Sequence, residues 1–551
     1  MQRFELKRHV SRRLALGKRL GPAPPGETII VSVLLHPKDP RALSEAARAV
    51  SDPKSPGYAG YLTPDDLRKL VAPGFQDLDT VLSWLADAGL NVEETAGARM
   101  VVKARGTLEQ VARAFDVPFG AYAFSREVVP AGRRCFACEH NPSIPAALAA
   151  IVRGVAGLND LPAARRRPAL MAPKRSRVPP RGPDDTRGPG GGFTPATLRK
   201  AYNVPDGGGR GERVGILEFG GGYSADDFDT FSTSYGLPGG GVREVSVSGA
   251  VNDYRGRTGG ADVEVALDMD WVRASVPRAA IDLYWVPNRD TGWVDFLSAL
   301  LDATESDRPS VVSISWGMPE DGFSTSRRYD QTRQLFLACA LLGITFVCAA
   351  GDAGAADEIP GSPTFDGQRH VDFPGVVPEV TAVGGTKLLP GARGFSERVW
   401  NDGLKGGATG GGFSHFVPLP GWQKEAVGKR TGVTGRGVPD VAAVASPDPG
   451  LSIFVRKRWS AVGGTSVAAP IWAGFLAQVN AARGAAGRPR LGAANAALYA
   501  AGTGRSPFRD VISGDNSYGG VAGFPAEKGW DPATGLGSAD VAKLIERLKG
   551  L

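Results

Sequence analysis

The chain has 551 residues, of which 42% are hydrophobic and 22% charged, with four cysteines and a formal net charge of +7. That length accommodates two to four domains whose cores fold unaided, and it excludes peptide-sized and disulfide-stapled scaffolds. Gly at 75 and Pro at 42 are both raised without the fixed period of collagen, so the chain is turn-rich and globular.

At the N-terminus, MQRFELKRHVSRRLALGKRLG is basic but lacks a continuous apolar core and a small-residue cleavage site, so no standard export signal is expected. No apolar run of about 18 residues follows anywhere, and no membrane partner is expected. Residues 28–158 read as a small α+β unit. Its apolar run is Thr28–Leu35, its helical patterns are Pro40–Val50, Thr63–Val71, Leu78–Leu90, Leu108–Phe115 and Pro145–Val155, and it is extended around Met100–Lys103 and Tyr122–Val129. Cys135-x-x-Cys138 has no second pair to complete a zinc site, and with Cys339 and Cys348 it reads as structural thiols.

The composition then changes. Residues 161–192 are rich in Pro, Gly and Arg with almost no core formers, the signature of an exposed, cleavable linker. Eight Lys/Arg lie between Arg165 and Arg187 against Asp184 and Asp185. Most of the positive charge therefore sits in one segment, and a nucleic-acid partner is not supported. From Phe193, short β-branched runs (Val214–Glu218, Ile281–Val286, Val311–Ser315, Thr345–Ala349) alternate with helical patterns, which argues for a parallel sheet covered by helices on both faces. In such folds chemistry gathers past the carboxyl ends of strands.

Gly463-Gly464-Thr465-Ser466-Val467-Ala468-Ala469-Pro470 precedes an apolar helical run, so Ser466 stands at a helix N-terminus, where N–H groups and the dipole favour an oxyanion. A plain Ser N-cap is the structural alternative. The Gly-Thr-Ser-x-x-x-Pro helix start resembles the nucleophile motif of subtilisin-like serine peptidases. A serine nucleophile needs a base, yet none of the five histidines (His9, His36, His140, His370, His415) stands in a His-Gly-Thr-His context. Glu264 and Asp268 instead lie four apart on one helix face, flanked by Val263, Val265, Ala266, Leu267 and Met269. Like charges there destabilise a helix unless a proton is shared or a function holds them; a solvated acidic face is the bland reading. Asp352 follows the strand ITFVCAAG directly and reads alone as a turn residue.

Together these motifs resemble the sedolisin family of serine-carboxyl peptidases, particularly its kumamolisin-like, calcium-binding members. The resemblance covers most of the chain. It implies an N-terminal inhibitory and chaperone prodomain with a ferredoxin-like fold over residues 1–160, a linker over 161–192, and a subtilisin-like α/β catalytic domain over 193–551. Carried over by motif, it puts the nucleophile at Ser466 and the general base at Glu264. Asp268 becomes the carboxylate orienting Glu264, and Asp352 the oxyanion-hole partner beside the Ser466 N–H. Glu218 in ILEFGGGY and Trp316 in SISWG match the outer hydrogen-bonding network, although a strand-end Glu and a core Trp also have ordinary structural readings.

Near the C-terminus the resemblance assigns one calcium ion to the side chains of Asp510 and Asp531 and the carbonyls of Val511, Glu527 and Gly529. That is a hard-oxygen set suited to the ion, and two capped turns are the alternative reading. Glu527 stands where family members often carry Gly. Asp372 in His370-Val-Asp372-Phe-Pro is a candidate to favour a basic residue N-terminal to the scissile bond.

The expected function is an acid-acting endopeptidase made as a self-processing precursor, with proteins or peptides as substrates and its own prodomain as intramolecular inhibitor. A catalytically silent, calcium-binding member of the fold is the alternative, and a His-dependent subtilisin a weaker one. The resemblance also implies an extracellular protein, and a monomer is expected. The physical logic stands without the family: a carboxyl serves as base only if burial and proton sharing raise its pKa, and an oxyanion-hole Asp works only when protonated.

Overall fold

The computed structural model describes residues 2–129, 133–164, 170–171, 180, 182, 184–206, 208–256, 261–320, 326–392, 394–428, 430 and 432–551, with backbone alone at 170–171 and 326–328. In the N-terminal domain, β1 (Thr28–Leu35) leads through α1 (Pro40–Ser51), α2 (Pro64–Val71) and α3 (Phe75–Asp87) to β2 (Asn91–Ala96) and β3 (Val101–Thr107), then through α4 (Leu108–Phe115) to β4 (Val152–Ala156). These strands form an antiparallel sheet in the order β2-β3-β1-β4, the expected ferredoxin-like arrangement. Thr107 starts α4 with a capping box, taking the Gln110 N–H while the Gln110 side chain takes its own. Period-two alternation turns Ile29, Val31, Val33 and Leu35 toward Val81, Leu85, Val111 and Phe115.

The segment 145–155 is not helical. After a single 3₁₀ turn at Ala146–Leu148, Val152–Ala156 pairs with β1. The alanines suggested a helix, but β-branched Val152 and Val155 gain more from the open edge of β1, a long-range pairing that outweighs local propensity. Of the extended reading at Tyr122–Val129, only Tyr122 and Ala123 are strand, the end of Phe119–Ala123.

The C-terminal domain is built on β5 (Arg213–Glu218), β6 (Val242–Ser246), α5 (Asp262–Ser275), β7 (Ala280–Trp285), α6 (Gly292–Asp302), β8 (Val311–Ile314), α7 (Ser326–Leu341), β9 (Thr345–Ala349), β10 (Val380–Gly391), β11 (Val441–Val444), β12 (Leu451–Val455), β13 (Arg458–Gly463) and α8 (Thr465–Ala485). The sheet order β6-β7-β5-β8-β9-β10-β11 is parallel throughout. Its strands are nearly continuous apolar runs because helices cover both faces. This is the expected subtilisin-like α/β sheet with helices on both faces.

The two domains share a core. Leu43, Ala47, Leu67 and Met100 pack in one cluster with Leu297, Leu335 and Phe336. Lys103 of β3 reaches Asp295 of α6 at 3.3 Å and Glu94 at 2.7 Å, and Asp302 accepts the Gly97 and Ala98 N–H groups at 2.7 and 3.1 Å.

The ends of the 161–192 segment correct the expectation of an exposed linker. Ala163 and Ala164 are buried and donate their N–H groups to Asn288 Oδ1. Gly188, Gly190 and Gly192 are buried against Ser452, Ser460 and Ala461. Glycine lets this backbone lie flat on the C-terminal domain, so a low content of core formers did not mean exposure. Between these ends, Leu170–Met171 adds an antiparallel strand to β13, pairing with Gly463 and Val462. Residues 165–169, 172–179, 181 and 183 of the segment lie outside the described residues.

Candidate active site

Four elements converge at the carboxyl end of the sheet: the end of β5, helix α5, the turn after β8 and the start of α8. All of α5 is buried, including Glu264 and Asp268 at 0% exposure. Its contacts with α8 are extensive, so the acids lie against the helix that begins at the serine. Ser466 is 3% exposed and occupies the first turn of α8, after Gly464 at φ +123°.

Pro470 lies inside α8, and having no N–H it leaves the Ser466 carbonyl, four residues back, without its helical partner. The Ser315 hydroxyl stands beside that carbonyl. Its Oγ is 3.1 Å from the Ser466 carbonyl and donates to Asp268 Oδ1 at 2.7 Å, so one hydroxyl ties the serine's backbone to the acid cluster. Glu218, at the end of β5 and wholly buried, accepts from Trp316 Nε1 at 2.9 Å.

Burial, followed by the charges of Glu218 and Glu264, pushes the Asp268 carboxyl well above the usual carboxylate range. Burial and the Glu264 charge do the same for Glu218, while the Trp316 N–H pulls the other way. Buried acids so placed hold a proton more readily than exposed ones.

Asp352 follows β9 and is half-buried. Its Oδ1 accepts from the Thr465 N–H at 2.7 Å and from Thr465 Oγ1 at 2.8 Å, which fixes the carboxyl beside the residue that precedes the serine. Asp372 is buried, and a side-chain carbon on Gly317 would come within 2.8 and 2.9 Å of its two carboxyl oxygens. Gly317 follows Trp316, so this acid sits directly under the backbone of the SISWG turn.

The sequence-derived residues thus fall into three linked pieces: Asp268 meets the Ser466 carbonyl through Ser315, Glu218 accepts from Trp316, and Asp352 accepts from Thr465, with Glu264 one helical turn from Asp268. Two members went unnoticed. Ser315 and Thr465 each lie next to a residue singled out by motif, and a hydroxyl beside a buried carboxyl was the only available signal.

The C-terminal acids form a separate feature. Asp531 is fully buried, with Oδ1 accepting the Ala533 and Thr534 N–H groups at 2.8 Å and Oδ2 accepting the Glu527 N–H at 3.2 Å. Asp510 Oδ2 accepts the Gly529 N–H at 2.9 Å, so both carboxylates bear on the same 527–531 turn. The positive φ falls on Gly529 (+88°), and Glu527 turns its side chain to Arg430 at 2.8 Å. A glutamate at 527 is therefore compatible with a carbonyl ligand. Burial raises the Asp531 carboxyl to about 6. No cluster of three His, Cys, Asp or Glu side chains suited to a metal occurs among the described residues. A hard cation here would rest on these two carboxylates and main-chain carbonyls, and the donor set fits it.

Residues 17–161 match the family described as Pro-kumamolisin, activation domain, and residues 269–495 match the Subtilase family. Kumamolisin of Bacillus sp. (strain MN-32) is 38% identical over 413 residues, 74% of this chain and 72% of that protein. Tripeptidyl-peptidase 1 of Rattus norvegicus is 31% identical over 563 residues, 96% of this chain and 93% of that protein. The solved structure of Pseudomonas sedolisin, a serine-carboxyl proteinase complexed with pseudo-iodotyrostatin, superposes with a TM-score of 0.56 at 28% identity, covering 65% of this chain and 98% of that one.

Proposed function

The chain belongs to the sedolisin family of serine-carboxyl peptidases, and from that premise we propose that it is an acid-acting endopeptidase whose precursor processes itself. Ser466 Oγ attacks the scissile carbonyl as its proton passes to Glu264. Glu264 returns that proton to the leaving amine when the C–N bond breaks, and a water molecule then repeats the sequence on the acyl-enzyme. Asp268 holds Glu264 in place and shares a proton with Glu218. Protonated Asp352 and the Ser466 N–H stabilise the oxyanion. The observation that carries this reading is the Ser315 hydroxyl, which joins the proton-sharing acids to the backbone of Ser466.

Residues 1–160 are the inhibitory prodomain in this reading and 193–551 the catalytic domain. Leu170–Met171 paired beside Gly463 supports a linker that lies along the cleft in the precursor. Asp372 under Gly317 supports a preference for a basic residue N-terminal to the scissile bond. One calcium ion would be held by Asp510, Asp531 and the carbonyls of Val511, Glu527 and Gly529. Bound there it supplies positive charge to a buried carboxylate and takes no part in hydrolysis. No helix among the described residues is long and apolar enough to cross a membrane, and we place the enzyme outside the cell as a monomer. The silent-member alternative has no observation behind it.

The test is a pH–rate profile of already processed enzyme on a peptide substrate. Carboxyl reference values near 4, raised modestly, put the maximum at about pH 3–5 with a fall toward neutrality. A rate that climbs through pH 7 with the fold intact would falsify the carboxyl mechanism.

A further inference from the structure

An acid that donates to an oxyanion has to present its proton on the correct oxygen, and a carboxyl has two. Asp352 Oδ1 receives two hydrogen bonds from one residue: the Thr465 N–H at 2.7 Å and the Thr465 hydroxyl at 2.8 Å. The hydroxyl has two further neighbours. It accepts the Gly351 N–H at 3.0 Å, and its own hydrogen has Asp352 Oδ1 nearer than the Gly351 carbonyl at 3.1 Å. An oxygen facing two donors cannot also carry an acidic hydrogen without setting donor against donor. The proton of neutral Asp352 is thereby directed to Oδ2. That oxygen lies on the side of Gly464, where a side-chain carbon would come within 2.9 Å of it, against 3.6 Å for Oδ1. Gly464 is the residue whose carbonyl and φ of +123° start the serine helix.

We propose that Thr465 is a positioning residue that fixes which oxygen of Asp352 bears the proton, so that Oδ2–H points to the oxyanion. The inference rests on the reading of Asp352 as the oxyanion-hole acid. Thr465 touches no substrate atom in this scheme and acts through Asp352. Thr465→Val keeps the shape and the backbone N–H but removes the hydroxyl, while Thr465→Ser keeps the hydroxyl.

The experiment uses the full-length chain, processed in trans by immobilised wild-type enzyme, with folding checked by thermal melting. Four quantities are measured: kcat and KM on a peptide substrate, Ki for a peptide aldehyde whose hemiacetal oxygen occupies the oxyanion position, and Ki for the corresponding peptide alcohol, which forms no such oxygen. Removing a whole oxyanion donor costs about 10²–10³-fold, so misdirecting one is expected to cost roughly tenfold or more. Thr465→Val should lower kcat by that factor with KM nearly unchanged, and weaken the aldehyde but not the alcohol. Thr465→Ser should restore both, and Thr465→Val should add nothing in an Asp352→Ala background.

If Asp352→Ala leaves kcat and aldehyde binding intact, the oxyanion reading of Asp352 falls and this inference with it. If Asp352→Ala abolishes both while Thr465→Val changes neither, Asp352 stands and the inference about Thr465 is wrong. Equal weakening of aldehyde and alcohol by Thr465→Val, or no rescue by Thr465→Ser, reduces Thr465 to a packing role and overturns the proposal.

Discussion

Glu218 and Asp268 at the head of the sheet and Asp531 near the C-terminus are buried carboxyls whose neighbours differ in kind. The first two face each other and Glu264, with single donors from Trp316 and Ser315. Asp531 is wrapped by the N–H groups of Glu527, Ala533 and Thr534, with a second aspartate, Asp510, bonded to the same turn. Burial raises all three. In the proposed reading the acids at the sheet are neutralised by protons, which suits catalysis in acid, whereas Asp531 would be neutralised by a cation, which suits stability. The surroundings, more than the residue type, decide which positive charge a buried carboxyl takes.

The largest expected effect comes from removing what the first group serves. Ser466→Ala should lower activity by at least about 10³-fold, as loss of a serine nucleophile does elsewhere, and the precursor should stay full length when shifted to about pH 4, near the carboxyl reference values. Gel analysis and N-terminal sequencing of the purified variant check this. A fragment beginning between Asp184 and Phe193, formed without any other protease, would show that processing does not need Ser466. Cleavage next to Phe193 would also require Gly188, Gly190 and Gly192 to leave their buried seats against Ser452, Ser460 and Ala461.

Glu218→Gln addresses the proton sharing itself. The amide still accepts from Trp316 but cannot ionise, so Asp268 loses the negative neighbour whose charge, after burial, raises its pKa most. Asp268 should then give up its proton at lower pH. The alkaline limb of kcat should move toward acid, and the maximum should fall by about tenfold as the shared proton is lost. Stability follows the same sign. Groups with folded-state values above the unfolded ones favour the fold below the ordinary carboxylate range and lose that contribution as pH rises through the raised values. The variant should therefore melt at a higher temperature than wild type near neutrality, with the difference shrinking in acid. A limb that stays in place would mean that Glu218 and Asp268 do not titrate together.

Much of this site was legible in the sequence because it is written locally. GGTSVAAP, the Glu264/Asp268 spacing and AAGD each carry their geometry in a few residues, and the strands Thr28–Leu35 and Thr345–Ala349 end where their apolar runs end. The reading failed where neighbours distant in sequence decided the outcome. Residues 152–156 became a strand because β1 offered an edge. The glycines after Arg187 docked because Ser452 and Ser460 lie there to receive them. Ser315 escaped notice because its role depends on a carbonyl that Pro470, far along the chain, leaves unpaired.

The smallest effect sharpens the other side of the comparison. If Asp531 takes a cation, chelation should matter only when the carboxyl is ionised. With its value raised to about 6, Asp531 is largely protonated in acid, where it neither holds a cation nor costs much to bury. Above about 6 the buried anion forms, and without a cation its burial opposes folding. A ligand at a hundredfold excess over its Kd adds about 2.7 kcal/mol to the native state, which for a domain this large is a shift of a few degrees in Tm. Full-length Ser466→Ala avoids self-digestion and is the protein to melt. A chelator should lower its Tm by a few degrees at pH 7 and by much less at pH 4, each measured against the same buffer with calcium restored. Asp531→Asn should melt lower at pH 7 and be indifferent to the chelator. Equal drops at both pH values would mean that another group holds the ion. An unchanged Tm at pH 7, together with no metal by elemental analysis, would remove the cation and leave Asp531 as a carboxyl satisfied by its own turn.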